Sequence, residues 1–288
     1  MANKIKLRLQ GHEKFSLREG WLNKGLTAVH ENSTVFLGKD APDIFGIGNN
    51  MVKSLRYWLK AFDLIEEKAS EGAKLSTLGE IIFDKDPYFE REFTLWVLHS
   101  HIVKNIEVAT TWYMYFNRCD ADELDKDQIE FILLREVTKY ASGQNFSAKS
   151  LKSDVDVLLN MYSKNREMYD PEDKNVSPFS QLGLVRCLEG RYVKTHPDRR
   201  IISEWNVLYE LSIMMEGQDS ISIEKVTYGE KSVGNIYHLT MIAINEMLDK
   251  LDALGYINVD RTAGLDMIYK AKKFTPESVM DDYYNKVK

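Results

Sequence analysis

Near the start of the chain, His12, Glu13, Lys14 and Arg18 crowd into the stretch Gly11-His12-Glu13-Lys14-Phe15-Ser16-Leu17-Arg18-Glu19-Gly20-Trp21. Between them these side chains can move a proton, hold a divalent cation and clamp a phosphate. An imidazole titrates near neutrality, a carboxylate binds metal or orients water, and two cations can stabilise charge developing on a phosphodiester. The same stretch also has a plain structural explanation. Ser16 and Glu19 have the spacing of a capping box at a helix start.

A second constellation follows. Asn49, Lys53, Arg56 and Lys60 fall at i, i+4, i+7 and i+11, a stripe on one side of a helix. Val52, Leu55, Leu59 and Phe62 form the adjacent apolar stripe, so the predicted helix over 51–62 buries one face and offers the other. Asn50 joins Asn49 at the helix start, where an amide can cap the helix or read an adenine edge. Gly46-Ile47-Gly48 just before permits close approach of the backbone, and a helix N-terminus favours phosphate. A dinucleotide fingerprint is excluded, because Met51 stands where its third glycine belongs.

The elements that position these residues are mostly helices. Apolar spacing predicts helices over 16–29, 51–62, 127–141, 147–161, 202–215 and 236–254, with two more meeting inside 92–117 near 104–107. Two of them run into a short hairpin with a glycine-containing polar tip: 64–67 with 73–76 after the first stripe, and 255–259 with 266–270 after the last helix. Helix followed by hairpin is the order of a recognition helix and its wing. The expected fold is therefore mainly α (α+β). Residues 1–85 would be a winged helix-turn-helix, 86–215 a helical middle domain, and 216–288 a C-terminal winged-helix-like domain.

Charge sharpens this reading. The chain of 288 residues carries a net charge of −6, yet its first 60 residues hold ten Lys/Arg against five Asp/Glu. That leaves +5 on the head and −11 on the remainder, as expected if one part meets phosphate and the rest meets something else. Apolar runs are too short to span a bilayer and no signal peptide is legible, so a cytoplasmic protein without membrane partners is expected. Cys119 and Cys187 lack metal or disulfide spacing. Gly229-Glu230-Lys231-Ser232 misses the P-loop pattern. The acidic run from Asp120 to Asp127 misses the calcium-loop glycine and reads as a solvated helix start. His99 with His101, and Asp154 with Asp156, stand two apart and face different ways on a helix.

Three stretches, GHEKFSLREGWLNKGL (11–26), FGIGNNMVKSLRYWLKAFD (45–63) and LSTLG (75–79), resemble a bacterial family of unknown-function domains found beside genes for DNA phosphorothioation and phage defence. The resemblance implies a component of such a system, described in the family as a DNA nickase, working with Mg²⁺ or Mn²⁺. It also implies partners: a cysteine desulfurase, a PAPS-reductase-like sulfurtransferase and an ATPase, besides double-stranded DNA. No standard nuclease motif supports nicking independently. If it occurs, His12, Glu13, Lys14 and Arg18 are the expected catalytic group, and Asn49, Asn50, Lys53, Arg56 and Lys60 the DNA-binding one. A winged-helix transcriptional regulator and a non-catalytic scaffold subunit are the alternatives.

Overall fold

The computed structural model describes residues 5–69, 71–164 and 176–287, so Lys4 and the hairpin-tip residue Ser70 lie outside the described residues. The chain begins as an extended strap, then forms α1 (Trp21–Glu31), α2 (Ala41–Phe45), α3 (Asn49–Ala61), an antiparallel hairpin of β1 (Ile65–Lys68) and β2 (Gly72–Leu75), and α4 (Thr77–Lys85). The capping box expected at Ser16 and Glu19 does not form. Gly20 takes a left-handed conformation with φ 75°, and the helix starts only after it, with no side-chain cap. The LSTLG phrase ends β2 and starts α4, where Ser76 accepts from Gly79 N–H.

The middle of the chain holds α5 (Glu92–Lys104), α6 (Thr110–Arg118), β3 (Glu123–Asp125), α7 (Lys126–Ala141), α8 (Ala148–Ser163), a 3-10 turn (Pro178–Leu182), β4 (Val185–Leu188), β5 (Arg191–Lys194) and α9 (Glu204–Met214). A purely helical middle was expected, but a three-stranded sheet in the order β3-β5-β4 is present. Its leading strand is three residues long and lies in the acidic run, so neither length nor alternation marked it. Asp125 there caps α7 in a capping box with Gln128.

The last part comprises β6 (Ser220–Ser222), α10 (Ile223–Thr227), α11 (Val233–Ile236), α12 (Met241–Ala253), β7 (Ile257–Asp260), β8 (Met267–Lys270) and α13 (Pro276–Lys286). The single helix expected over 236–254 is broken. His238 turns left-handed at φ 51° and Thr240 caps a fresh helix by accepting from Ala243 N–H. The sheet order β6-β8-β7 repeats the middle pattern: a short strand leads into helices, and the closing hairpin pairs its second strand with that leader. At the N-terminus Ser33 takes the leader's place, its carbonyl accepting from Ala73 N–H on β2 at 2.7 Å.

These three units surround one core. Helices α5, α6 and α9 are buried nearly all round, as helices without a polar face must be. The apolar cluster runs continuously from Leu17 to Tyr283. Helix α13 ties the end of the chain to its start, with Tyr283 stacked on Phe93 at 4.0 Å and Tyr284 hydrogen-bonded to Thr94. Among the described residues no helix is long and apolar enough to cross a membrane.

Candidate nucleic-acid interface

Helix α3 follows α2 through a three-residue turn. Gly46 closes α2 in the left-handed region at φ 60°, its N–H bonded to Asp43 O, and Gly48 opens α3 in an extended conformation. Neither asparagine caps the helix. Asn49 and Asn50 are exposed in the first turn, and Asn50 Oδ1 accepts from Lys53 Nζ at 3.2 Å. The apolar stripe behaves as expected, with Val52, Leu55, Leu59 and Phe62 all buried.

The polar stripe divides in two. Asn49, Asn50 and Lys53 face solvent. Arg56 and Lys60 are held by Glu67 on β1: Arg56 donates through Nε and Nη2, and Lys60 Nζ lies 2.9 Å from Oε2. Burial would raise the Glu67 carboxyl, but the hydrogen bonds from Arg56 and Lys60 outweigh it and hold it below the usual carboxylate range. The hairpin is thereby clamped to α3, and two of the stripe's three cations share one carboxylate.

The four residues around His12 part company. His12 is fully buried; its Nδ1 accepts from Lys14 N–H at 3.1 Å, so the ring proton sits on Nε2 and is donated to Asp154 Oδ1 at 2.9 Å. Both nitrogens are taken, and the imidazole stacks on Trp58. Lys14 is exposed, and the Arg18 guanidinium lies over the Trp21 ring at 5.5 Å. Of the four, Glu13 lines a cavity beside α3.

That cavity, of about 390 Å³, is lined by Arg8, Gly11, Glu13, Lys53, Arg56, Tyr57, Lys60, Glu107 and Val108. It joins the two sequence constellations: Glu13 comes from the strap, and Lys53, Arg56 and Lys60 from α3. Arg8, Tyr57 and Glu107 were not foreseen. Arg8 carries the only sequence signal, as part of the basic alternation Lys4, Lys6, Arg8. Glu107 is tied to Lys6 at 3.0 Å, whereas among the described residues the Arg8 guanidinium and the Glu13 carboxylate make no hydrogen bond or ion pair. Gly11 is required here because a Cβ would come 2.3 Å from the Tyr57 ring. Burial raises the Tyr57 phenol well above its ordinary pKa, so it lines the cavity uncharged.

The strap is anchored from the far side. Asp154 on α8 accepts from Gln10 N–H at 2.7 Å, from His12 Nε2 and from Thr111 Oγ1 at 2.7 Å, and is itself 2% exposed. Among the described residues no three His, Cys, Asp or Glu side chains stand close enough to hold a metal ion together.

Fold and site together define a mainly helical protein in which a strap held by α8 lies beside α3 and a cationic cavity. The chain belongs to the family described as protein of unknown function DUF4007, whose model matches residues 9–284. Among solved structures, two of SspB share its fold, one of them with magnesium ion bound. Each has a TM-score of 0.85 and 24% sequence identity, and the match covers 96% of this chain and 88% of that one. No curated protein matches.

Proposed function

We propose that the protein is a DNA-binding component of a phosphorothioation-type modification or defence system. In this reading residues 1–85 act as a winged helix-turn-helix, α3 is the recognition helix, and β1 with β2 is the wing. The observation that carries it is the cavity beside α3, where Arg8 and Lys53 have no carboxylate partner among the described residues and the exposed Asn49 and Asn50 stand close by in α3. Side chains of these kinds contact phosphates and base edges. The link to phosphorothioation rests on the resemblance of the three sequence stretches and on the shared fold with SspB.

The last part of the chain suits protein. Helix α12 occupies the place in its unit that α3 has in the first, but Met241 and Ile242 are exposed on it beside Glu246 and Asp249. Glu246 and Asp249 are paired with Arg199 and Arg261, which leaves a largely neutral, apolar face of the kind that accepts polypeptide. A cysteine desulfurase, a PAPS-reductase-like sulfurtransferase or an ATPase are the partners this reading expects there.

Nicking with Mg²⁺ or Mn²⁺ draws support from the family resemblance and the magnesium-bound relative. In this reading Glu13 would serve as its carboxylate, with His12 in a positioning part behind. Fluorescence anisotropy with duplex DNA across a salt series tests the binding proposal: affinity should fall linearly on a log–log plot. Supercoiled plasmid incubated with either metal tests nicking in the same preparation. Absence of salt-dependent binding sinks the DNA reading outright.

A further inference from the structure

We infer that the cavity beside α3 seats one unpaired guanine, read by Glu13, with Arg8 and Lys53 on the flanking phosphates. The inference rests on the DNA-binding reading above and adds the ligand to it. It starts from the backbone. Gln10, Glu13 and Lys14 all take left-handed conformations, with φ of 57°, 48° and 67°. Three such residues within five positions are costly, and they persist only where surrounding contacts dictate them. Here the dictating contacts are those of Asp154 with Gln10 and His12, and of His12 with Lys14. The strain presents to the cavity the Glu13 carboxylate, which makes no hydrogen bond or ion pair among the described residues.

The chemistry of that carboxylate selects its ligand. An ionised carboxylate only accepts hydrogen bonds, and its two oxygens suit two adjacent donors. Among the bases, guanine alone offers such a pair on its Watson–Crick edge, at N1–H and the N2 amino group. Adenine and cytosine place an acceptor beside their donor, and thymine flanks one N–H with two carbonyls. In a duplex this edge is occupied by pairing, so the base enters from a single strand or after extrusion. A volume of about 390 Å³ lies within the range of small-ligand sites, and the Tyr57 ring supplies an apolar wall. Arg56 and Lys60, committed to Glu67, leave Glu13 unpaired and so free to bind the base.

The test uses the full-length protein and short fluorescein-labelled thymidine strands with guanine, hypoxanthine or adenine at the central position. Hypoxanthine keeps N1–H but lacks the N2 amino group, so this comparison needs no variant. We expect the guanine strand to bind about tenfold tighter than the adenine strand, the low end for a bidentate contact, with hypoxanthine between. Glu13→Gln, checked for native melting, should bring the three within about twofold of one another. Equal affinity of the wild type for all three strands overturns the guanine site and leaves the DNA reading standing. Failure to bind any strand, or any duplex, overturns both.

Discussion

Asp154 and His12 lie 142 residues apart in the chain and 2.9 Å apart in space, and their hydrogen bond fixes the strap across the cavity beside α3. The carboxylate is buried and satisfied by three donors, from Gln10, His12 and Thr111. A buried ionised acceptor of this kind is costly to disturb. Asp154→Asn keeps the shape but weakens the bonds to Gln10 and His12 and presents its amide to Thr111. Stability should fall by roughly 2 to 3 kcal/mol, read by thermal melting. Nucleic-acid affinity should fall as well, although Asp154 touches none. Unchanged affinity in a folded variant would show that the strap does not shape the site.

Arg8 and Lys53 are the cations of the cavity without a carboxylate partner. Replacing both with Ala should reduce the log–log salt slope of DNA binding by roughly one to two. Melting should scarcely change, because both side chains lie outside the core. A slope identical to the wild type removes this cavity from the interface.

Much of the first unit was legible in the sequence, because its signals are local. The stripe from Val52 to Phe62, the glycine turn before it and the hairpin after it all lie within a few residues of one another. The pairing of Glu67 with Arg56 and Lys60 was not legible. It depends on how the hairpin folds back, and it converts half of an apparent phosphate-binding face into a clamp. The role of His12 was hidden for a similar reason, since its partner comes from α8. A histidine between Gly11 and Glu13 looks like a general base until Asp154 is seen to occupy it. The break at His238 and Thr240 leaves no mark in the sequence pattern, because apolar residues continue at helical spacing across it.

Charge placed at the exposed apolar positions of the last unit tests the division of labour between the two ends. Ile242 is 68% exposed and Leu265 57%. Ile242→Asp with Leu265→Asp should leave duplex affinity within about twofold, as an exposed change does, while abolishing co-purification with the proposed partner subunits. Loss of DNA binding in a variant that melts normally would instead place this face on the nucleic acid.

Acid should unfold the protein through His99. Burial lowers this histidine to about 3, although its Nε2–H donates to Ile236 O; Nδ1 accepts from the Tyr162 hydroxyl, which also suits the neutral ring. Its folded value lies below the unfolded one of about 6.5. Between those values the unfolded chain binds a proton that the native chain refuses. Stability is therefore unaffected above about pH 6.5 and falls below it, by up to about 1.4 kcal/mol per pH unit from this group. Denaturant titrations from pH 7 to 4 should show the slope, and His99→Gln should lower stability at pH 7 yet flatten it. An equal slope in the variant assigns the acid sensitivity elsewhere.

Glu67 offers the sharpest prediction about binding, because two effects of removing it point in opposite directions. Its carboxylate is 12% exposed and neutralises much of Arg56 and Lys60. Glu67→Gln frees that charge for phosphate, which favours tighter binding and a salt slope steeper by about one. It also loosens the hairpin, which disfavours any contact the hairpin makes. The clamp cations are two-fifths exposed, so the pairing contributes only about 1 kcal/mol to stability. The hairpin keeps its four backbone register pairs, from Ile65 with Leu75 to Lys68 with Gly72. The charge effect should therefore win, and the variant should bind DNA more tightly at low salt and converge with the wild type at high salt. Acid supplies an independent check. Because the folded Glu67 carboxyl is held below its unfolded value, its contribution is present above about pH 4.3 and disappears as pH falls through the folded value. The wild type should thus lose its small stability advantage over Glu67→Gln in acid. Weaker DNA binding by the variant at low salt would mean that Glu67 organises Arg56 and Lys60 for contact, and the clamp would then belong to the interface itself.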